Sequence, residues 1–133
     1  GFKPLNKIAS GGELSRFLLA VKLCFLGDNN KKTQIFDEID RGVGGATASA
    51  IGKRLLELSK HEQVIVVTHS PQVAAYSDNH LKVEKINSDK STVTKVHTLN
   101  EEKTVREIAR MLSGELITSE ALAAAATLRK ASK

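Results

Sequence analysis

The run QVIVVTH, residues 63–69, constrains the fold more than any other stretch of the chain. Val64, Ile65, Val66 and Val67 are consecutive β-branched residues with no polar alternation, the pattern of a strand buried on both faces of a parallel sheet. Upstream, TQIF (33–36) reads as a second short strand. Between them, ATASAIGKRLLELSK (46–60) sets Ala50, Ile51, Leu55 and Leu58 at helical spacing. Strand, helix and strand in that order call for a right-handed crossover and parallel pairing. The expected fold class is α/β, a parallel sheet with flanking helices in a single unit of 133 residues.

The other segments fit around that unit. KIASGGELSRFLLAVKL (7–23) opens a helix in which Ser10 and Glu13 have the spacing of a capping box. Leu14, Phe17, Leu18, Val21 and Leu23 favour one face of it. GDNNKK (27–32) is a polar connection, and RGVGG (41–45) is a glycine-rich loop. SPQVAAYS (70–77) places a proline at a first helical turn. HLKVEKI and TVTKVHTL alternate apolar and polar residues around NSDKS, which predicts an antiparallel hairpin with one solvated face. EEKTVREIARML (101–112) is a helix with acidic residues first and Gly114 just beyond as C-cap. The alanine-rich SEALAAAATLRKASK closes the chain as another helix.

Composition narrows the function classes. No apolar run reaches the length of a membrane span and no signal-peptide pattern opens the chain, so a cytoplasmic protein without membrane contact is expected. The single cysteine, Cys24, excludes a disulfide framework; lying among Leu23, Phe25 and Leu26, it reads as a buried, inert thiol. Cys24, His61, His80 and His97 show no metal-ligand spacing. A net charge of +5 permits contact with nucleic acid, but the basic residues are scattered and aromatics are few.

Chemistry concentrates at one edge. Ligands of open parallel sheets bind outside the carboxyl ends of the strands. The first strand ends in Asp37 and Glu38, the second in Thr68 and His69. Adjacent carboxylates there suit a magnesium–phosphate site, one on the metal or its waters and the other orienting an attacking water. A histidine can donate to a terminal phosphate. Taken singly, each feature also has a plain structural reading: a strand end, a helix cap, and turn glycines at 42, 44 and 45. Gly11 and Gly12 add something further. A cap has no need of them, whereas a helix N-terminus free of Cβ atoms lets a phosphate approach its N–H groups.

SGGELSR, IFDEID and VIVVTH, in that order, resemble the signature motif, Walker B and switch histidine of the ABC-type ATPases. SGGE and DEID are closer to the SMC-like branch than to transporter subunits. The longer stretches PLNKIASGGELSR, IFDEIDRGVGG, VIVVTHSPQVAAYSD and EIARMLSG resemble a bacterial DNA recombination and repair member of that branch. The resemblance implies a partial P-loop ATPase head with ATP as substrate and Mg2+ as cofactor. It implies Asp37 on the metal, Glu38 polarising the attacking water, and His69 at the γ-phosphate. Ser10, Gly11, Gly12 and Glu13 become the signature that meets a nucleotide on an opposite head. Asp40–Gly45 becomes the D-loop at the dimer interface, with Asp40, Gly42 and Gly44 beside the nucleotide. Gly44 stands where many relatives carry aspartate, so that side chain's role does not transfer.

No stretch matches G-x-x-x-x-G-K-[ST]; IGKR (51–54) lies inside the expected helix and ends in arginine. The resemblance therefore implies that residues 1–133 are the C-terminal lobe of a head whose Walker A lobe and coiled coil lie elsewhere. It implies as partners that N-terminal lobe, a second head in a homodimer, and DNA, in a bacterial, nucleoid-associated setting. Two other readings stand beside it: a non-catalytic, nucleotide-gated interaction module, and the nucleotide-binding subunit of a transporter.

Overall fold

The computed structural model describes residues 10–24, 32–88 and 91–132. Along the chain these form α1 (Gly11–Cys24), β1 (Thr33–Asp37), α2 (Gly45–Ser59), β2 (Gln63–Val67), α3 (Pro71–Ala74), β3 (His80–Ser88), β4 (Ser91–Leu99), α4 (Glu101–Ser113) and α5 (Ser119–Ala131). β1 and β2 pair in parallel from Thr33↔Gln63 to Asp37↔Val67, with α2 as the crossover. β3 and β4 form the antiparallel hairpin from His80↔Leu99 to Ser88↔Ser91. The mixed α/β architecture is thus the expected one. PLNKIA and all but the last residue of GDNNKK lie outside the described residues.

Two cores hold the unit together. Leu19, Phe36, Ile39, Ala48, Ile51, Leu55, Leu58 and Val73 join α1, β1, α2 and α3. Ala74, Ala75, Ile108, Ala109, Ala121 and Ala125 join α3, α4 and α5. Full burial of a side chain such as Leu58 contributes about 1.5–3 kcal/mol. On α5 the buried stripe runs Ala121, Ala125, Arg129, at intervals of four residues, so methyl groups let α4 approach closely. The short α3 contributes Val73 to one core and Ala74 to the other.

Four expectations are corrected. The sheet is not buried on both faces. Phe36, Val64 and Val66 face the core, whereas Ile35, Ile65 and Val67 are 69%, 44% and 56% exposed on the other face. The buried side of α1 carries Gly12 and Leu19, while Phe17 and Leu18, expected on the core face, are exposed. Helical periodicity grouped Phe17 and Leu18 with Leu14 and Val21, and did not show that Leu19 is the side chain the core takes. Cys24 is exposed at the end of α1. In the hairpin exposure is not confined to one face: Leu81, Val83 and Val96 are exposed on one side and Ile86 and Val93 on the other, while Lys82 turns toward α4 and pairs with Glu107 at 3.1 Å. An ion pair with a buried carboxylate decides that orientation, and alternation alone does not reveal it.

Candidate functional site

Three loops meet at the carboxyl edge of β1 and β2. The first is the N-terminus of α1. Ser10 N–H and Oγ donate to Glu13 Oε2 at 2.8 and 2.9 Å, and Glu13 N–H donates back to Ser10 Oγ at 3.4 Å. The capping box is therefore formed, and those bonds hold the Glu13 carboxyl below its ordinary value. Glu13 serves the cap, while Ser10 and Gly11 remain exposed at the helix mouth.

The second is the loop from Glu38 to Gly44. Asp37 ends β1 on the outer face of the sheet, across from Val67, and is exposed. Glu38 follows at φ +55°, the single non-glycine in the left-handed region among the described residues. That conformation costs an L-residue roughly 1–2 kcal/mol. It turns the chain sharply out of the sheet and leaves the Glu38 carboxylate in solvent, where both its oxygens accept from Arg41 Nη1 at 3.0 and 2.9 Å. This pair is exposed, so it contributes little to stability. Gly42, at φ +73°, completes the turn, and Gly44 caps α2.

α1 is stitched to this loop. Arg16 Nη1 donates to the carbonyls of Ile39 at 3.0 Å and Arg41 at 3.2 Å, and Ser15 Oγ donates to the Asp37 carbonyl at 3.3 Å. Gly12 is where the two meet. A Cβ built on it would lie 2.9 Å from the Glu38 carbonyl oxygen. Gly12 is thus demanded by packing within the chain, a role the sequence did not suggest. A Cβ on Gly11 would have only Glu38 Oε2 near it, at 3.8 Å.

The third loop carries His69, which is exposed. Its neighbours are fixed by Asp40, which is 5% exposed. Asp40 Oδ2 accepts a short hydrogen bond from Thr68 Oγ1 and another from Ser70 N–H at 3.2 Å. Asp40 is committed inside the protein and tethers the residues on either side of His69 to the Glu38 loop. Its Oδ1 is buried and has no hydrogen-bond partner among the described residues. Ser70 in turn caps α3, its Oγ accepting from Val73 N–H at 3.4 Å. The bonding roles of Arg16, Arg41 and Thr68 were missed from sequence. Arg16 lies within SGGELSR and Thr68 directly precedes His69, so proximity to the motifs was the available signal.

Among the described residues no three His, Cys, Asp or Glu side chains gather as a metal site. Asp37 offers an exposed carboxylate at the strand end, the donor type Mg2+ takes, but as one ligand of a larger set. An open cleft of about 640 Å³ lies elsewhere, between the hairpin and α4, lined by Lys82, Glu84, His97, Lys103, Arg106 and Arg110. It contains none of the strand-end groups, and the exposed, convergent loops are the better candidate. No helix among the described residues is long and apolar enough to cross a membrane.

No family model matches the chain. It is 51% identical over 130 residues to the DNA repair protein RecN of Rickettsia bellii, covering 96% of this chain and 24% of that protein. It is 51% identical to RecN of Streptomyces coelicolor, covering 85% and 20%, and 48% identical to RecN of Xylella fastidiosa, covering 95% and 23%. The chain thus spans about a quarter of the length of the curated relatives it matches. A solved structure described under "Structural biochemistry of ATP-driven dimerization and DNA stimulated activation of SMC ATPases" superimposes with a TM-score of 0.58 at 25% identity, covering 83% of this chain and 66% of that one.

Proposed function

From a chain homologous over nearly its whole length to RecN proteins, with the fold of an SMC ATPase head, we propose that it is the C-terminal lobe of such a head and acts in DNA repair. The observation that carries this reading is the meeting of the three loops: Gly12 against the Glu38 carbonyl, and Asp40 bonded on both sides of His69. In that role Asp37 would hold Mg2+, whose chemistry is to neutralise charge on the phosphates. Glu38 orients and deprotonates water from an exposed carboxylate once Arg41 lets go. His69 donates to the terminal phosphate. Ser10 and Gly11, exposed at the mouth of α1, offer N–H groups to a phosphate held by a second head.

The remainder of the head has surfaces to dock on. Ile35, Ile65 and Val67 make a bare apolar sheet face, and Phe17 and Leu18 add exposed apolar side chains on α1. We place the Walker A lobe on the sheet face, which also brings it to Asp37. DNA, the second head and a cytoplasmic, nucleoid-associated setting belong to the complete protein under this reading.

Magnesium-dependent ATP turnover tests it, measured for this chain alone and for its mixture with a separately made Walker A lobe. Activity confined to the mixture is the expected result. Robust turnover by this chain alone would contradict the assignment of half a site to it.

A further inference from the structure

Arg129 lies on α5, far along the chain from every motif, and only 6% of it is exposed. Burying a guanidinium is costly unless its donors are paired. Its Nε and Nη2 donate to the two carboxylate oxygens of Glu101 at 3.0 and 3.1 Å. Its Nη1 donates to the carbonyl of Ala75 at 2.6 Å and also to that of Ser77. Ser132 Oγ donates to the same Ala75 carbonyl at 2.7 Å. Ala75 is the C-cap of α3, where carbonyls have lost their helical partners.

A single turn such as α3, four residues long, has little rigidity of its own. Its position is set by what holds its ends. At the front, Asp40 holds Thr68 and Ser70 on either side of His69, and Ser70 caps the turn. At the back, Arg129 and Ser132 hold the carbonyl end. His69 therefore hangs on a short strut with one buried ionic anchor at each end.

We propose that Arg129 is a positioning residue for His69, through which the α4–α5 layer sets the placement of the histidine loop. The proposal rests on the reading of His69 as a phosphate contact. Arg129 touches no reacting group; it acts through α3. Because its other partner, Glu101, begins α4, displacement of α4 against α5 reaches His69 through the same guanidinium. The competing view is that Arg129 only staples α5 to the fold.

A double-mutant cycle in the complete ATPase separates the two, with steady-state MgATP turnover and thermal unfolding measured for Arg129→Gln, Ser132→Ala, His69→Ala and the pairwise combinations with His69→Ala. Arg129→Gln lowers kcat about 3–10-fold with little change in KM, the scale of coupling through a packed network. Added to His69→Ala, it lowers kcat no further, because the group it positions is gone. Ser132→Ala removes one tether at smaller structural cost, shows the same non-additivity, and replaces Arg129→Gln if that variant fails to fold. Losses that multiply with that of His69→Ala, or a lowered Tm with unchanged kcat, overturn the proposal. Normal turnover in His69→Ala alone overturns the phosphate-contact reading itself and removes the ground for the inference; the Arg129 outcomes leave that reading standing.

Discussion

The carbonyl oxygen of Glu38 stands 2.9 Å from the point a Cβ on Gly12 would occupy, so the first turn of α1 lies directly on the loop that presents the Glu38 carboxylate. The neighbouring glycine has no such neighbour: its Cβ would stand 3.8 Å from Glu38 Oε2, an ordinary contact. The two adjacent glycines thus differ: packing within the chain requires one, and the other lies at an open helix mouth.

Alanine substitutions should separate them. Gly12→Ala forces backbone apart and destabilises by about 1–3 kcal/mol, read from denaturant unfolding. Gly11→Ala leaves stability within about 0.5 kcal/mol, as for a surface position, yet lowers ATP turnover of the complete enzyme. Equal stability losses at both positions would contradict the distinction.

Gly52 makes a second close approach. Its Cβ would lie 2.4 Å from Tyr76 Cδ2, and the Tyr76 hydroxyl meets Ser49 Oγ at 3.1 Å, so the ring is fixed against α2 at both ends. Gly52→Ala is expected to cost about 1–3 kcal/mol by overpacking. In a Tyr76→Ala background the same substitution should cost nothing measurable. An undiminished cost there would place the strain elsewhere.

His80 gives the fold a pH dependence of defined sign. Burial pushes its pKa below the ordinary 6.5, with Arg129 adding to the effect and Glu107 opposing it. Its Nδ1 is buried and has no hydrogen-bond partner among the described residues. The unfolded chain therefore binds the proton more readily than the folded one, and His80 supports stability fully above pH 6.5. That support declines as pH falls from 6.5 toward the lowered folded value. Thermal unfolding at about pH 7.5 and 5.5, above the carboxylate range, should show a drop in Tm that is smaller in His80→Gln. An equal drop in the two proteins would assign the dependence to other groups.

Local chemistry was legible in the sequence where it depended on spacing of a few residues. The Ser10–Glu13 box, the βαβ order, the hairpin and the Gly114 cap are all decided by neighbours along the chain. What the sequence left hidden depends on contacts formed only after folding. Asp40 sits in DEID like a ligand-facing acid, but its partners Thr68 and Ser70 are brought to it by the crossover. Gly12 was read from sequence for phosphate approach alone, and its packing against the Glu38 carbonyl forms only once α1 meets that loop. Phe17, Leu18 and Val67 looked like core and lie exposed, because hydrophobicity records what a residue packs on but not whether that surface is part of the same folded unit. Parallel pairing put the strand-end carboxylates and His69 at one edge, as the topology had it, whereas the Asp40 tether that links their loops was not legible.

Glu38 has the hydrolytic role in the proposed function, and Glu38→Gln in the complete ATPase tests that role most directly. The substitution preserves shape, and its Arg41 pair is exposed, so folding should change by less than about 1 kcal/mol. ATP binding and single-turnover hydrolysis are measured side by side. Binding within a few-fold of the parent, with hydrolysis slowed by about 100-fold or more, is the predicted result. Unaltered hydrolysis would contradict the account.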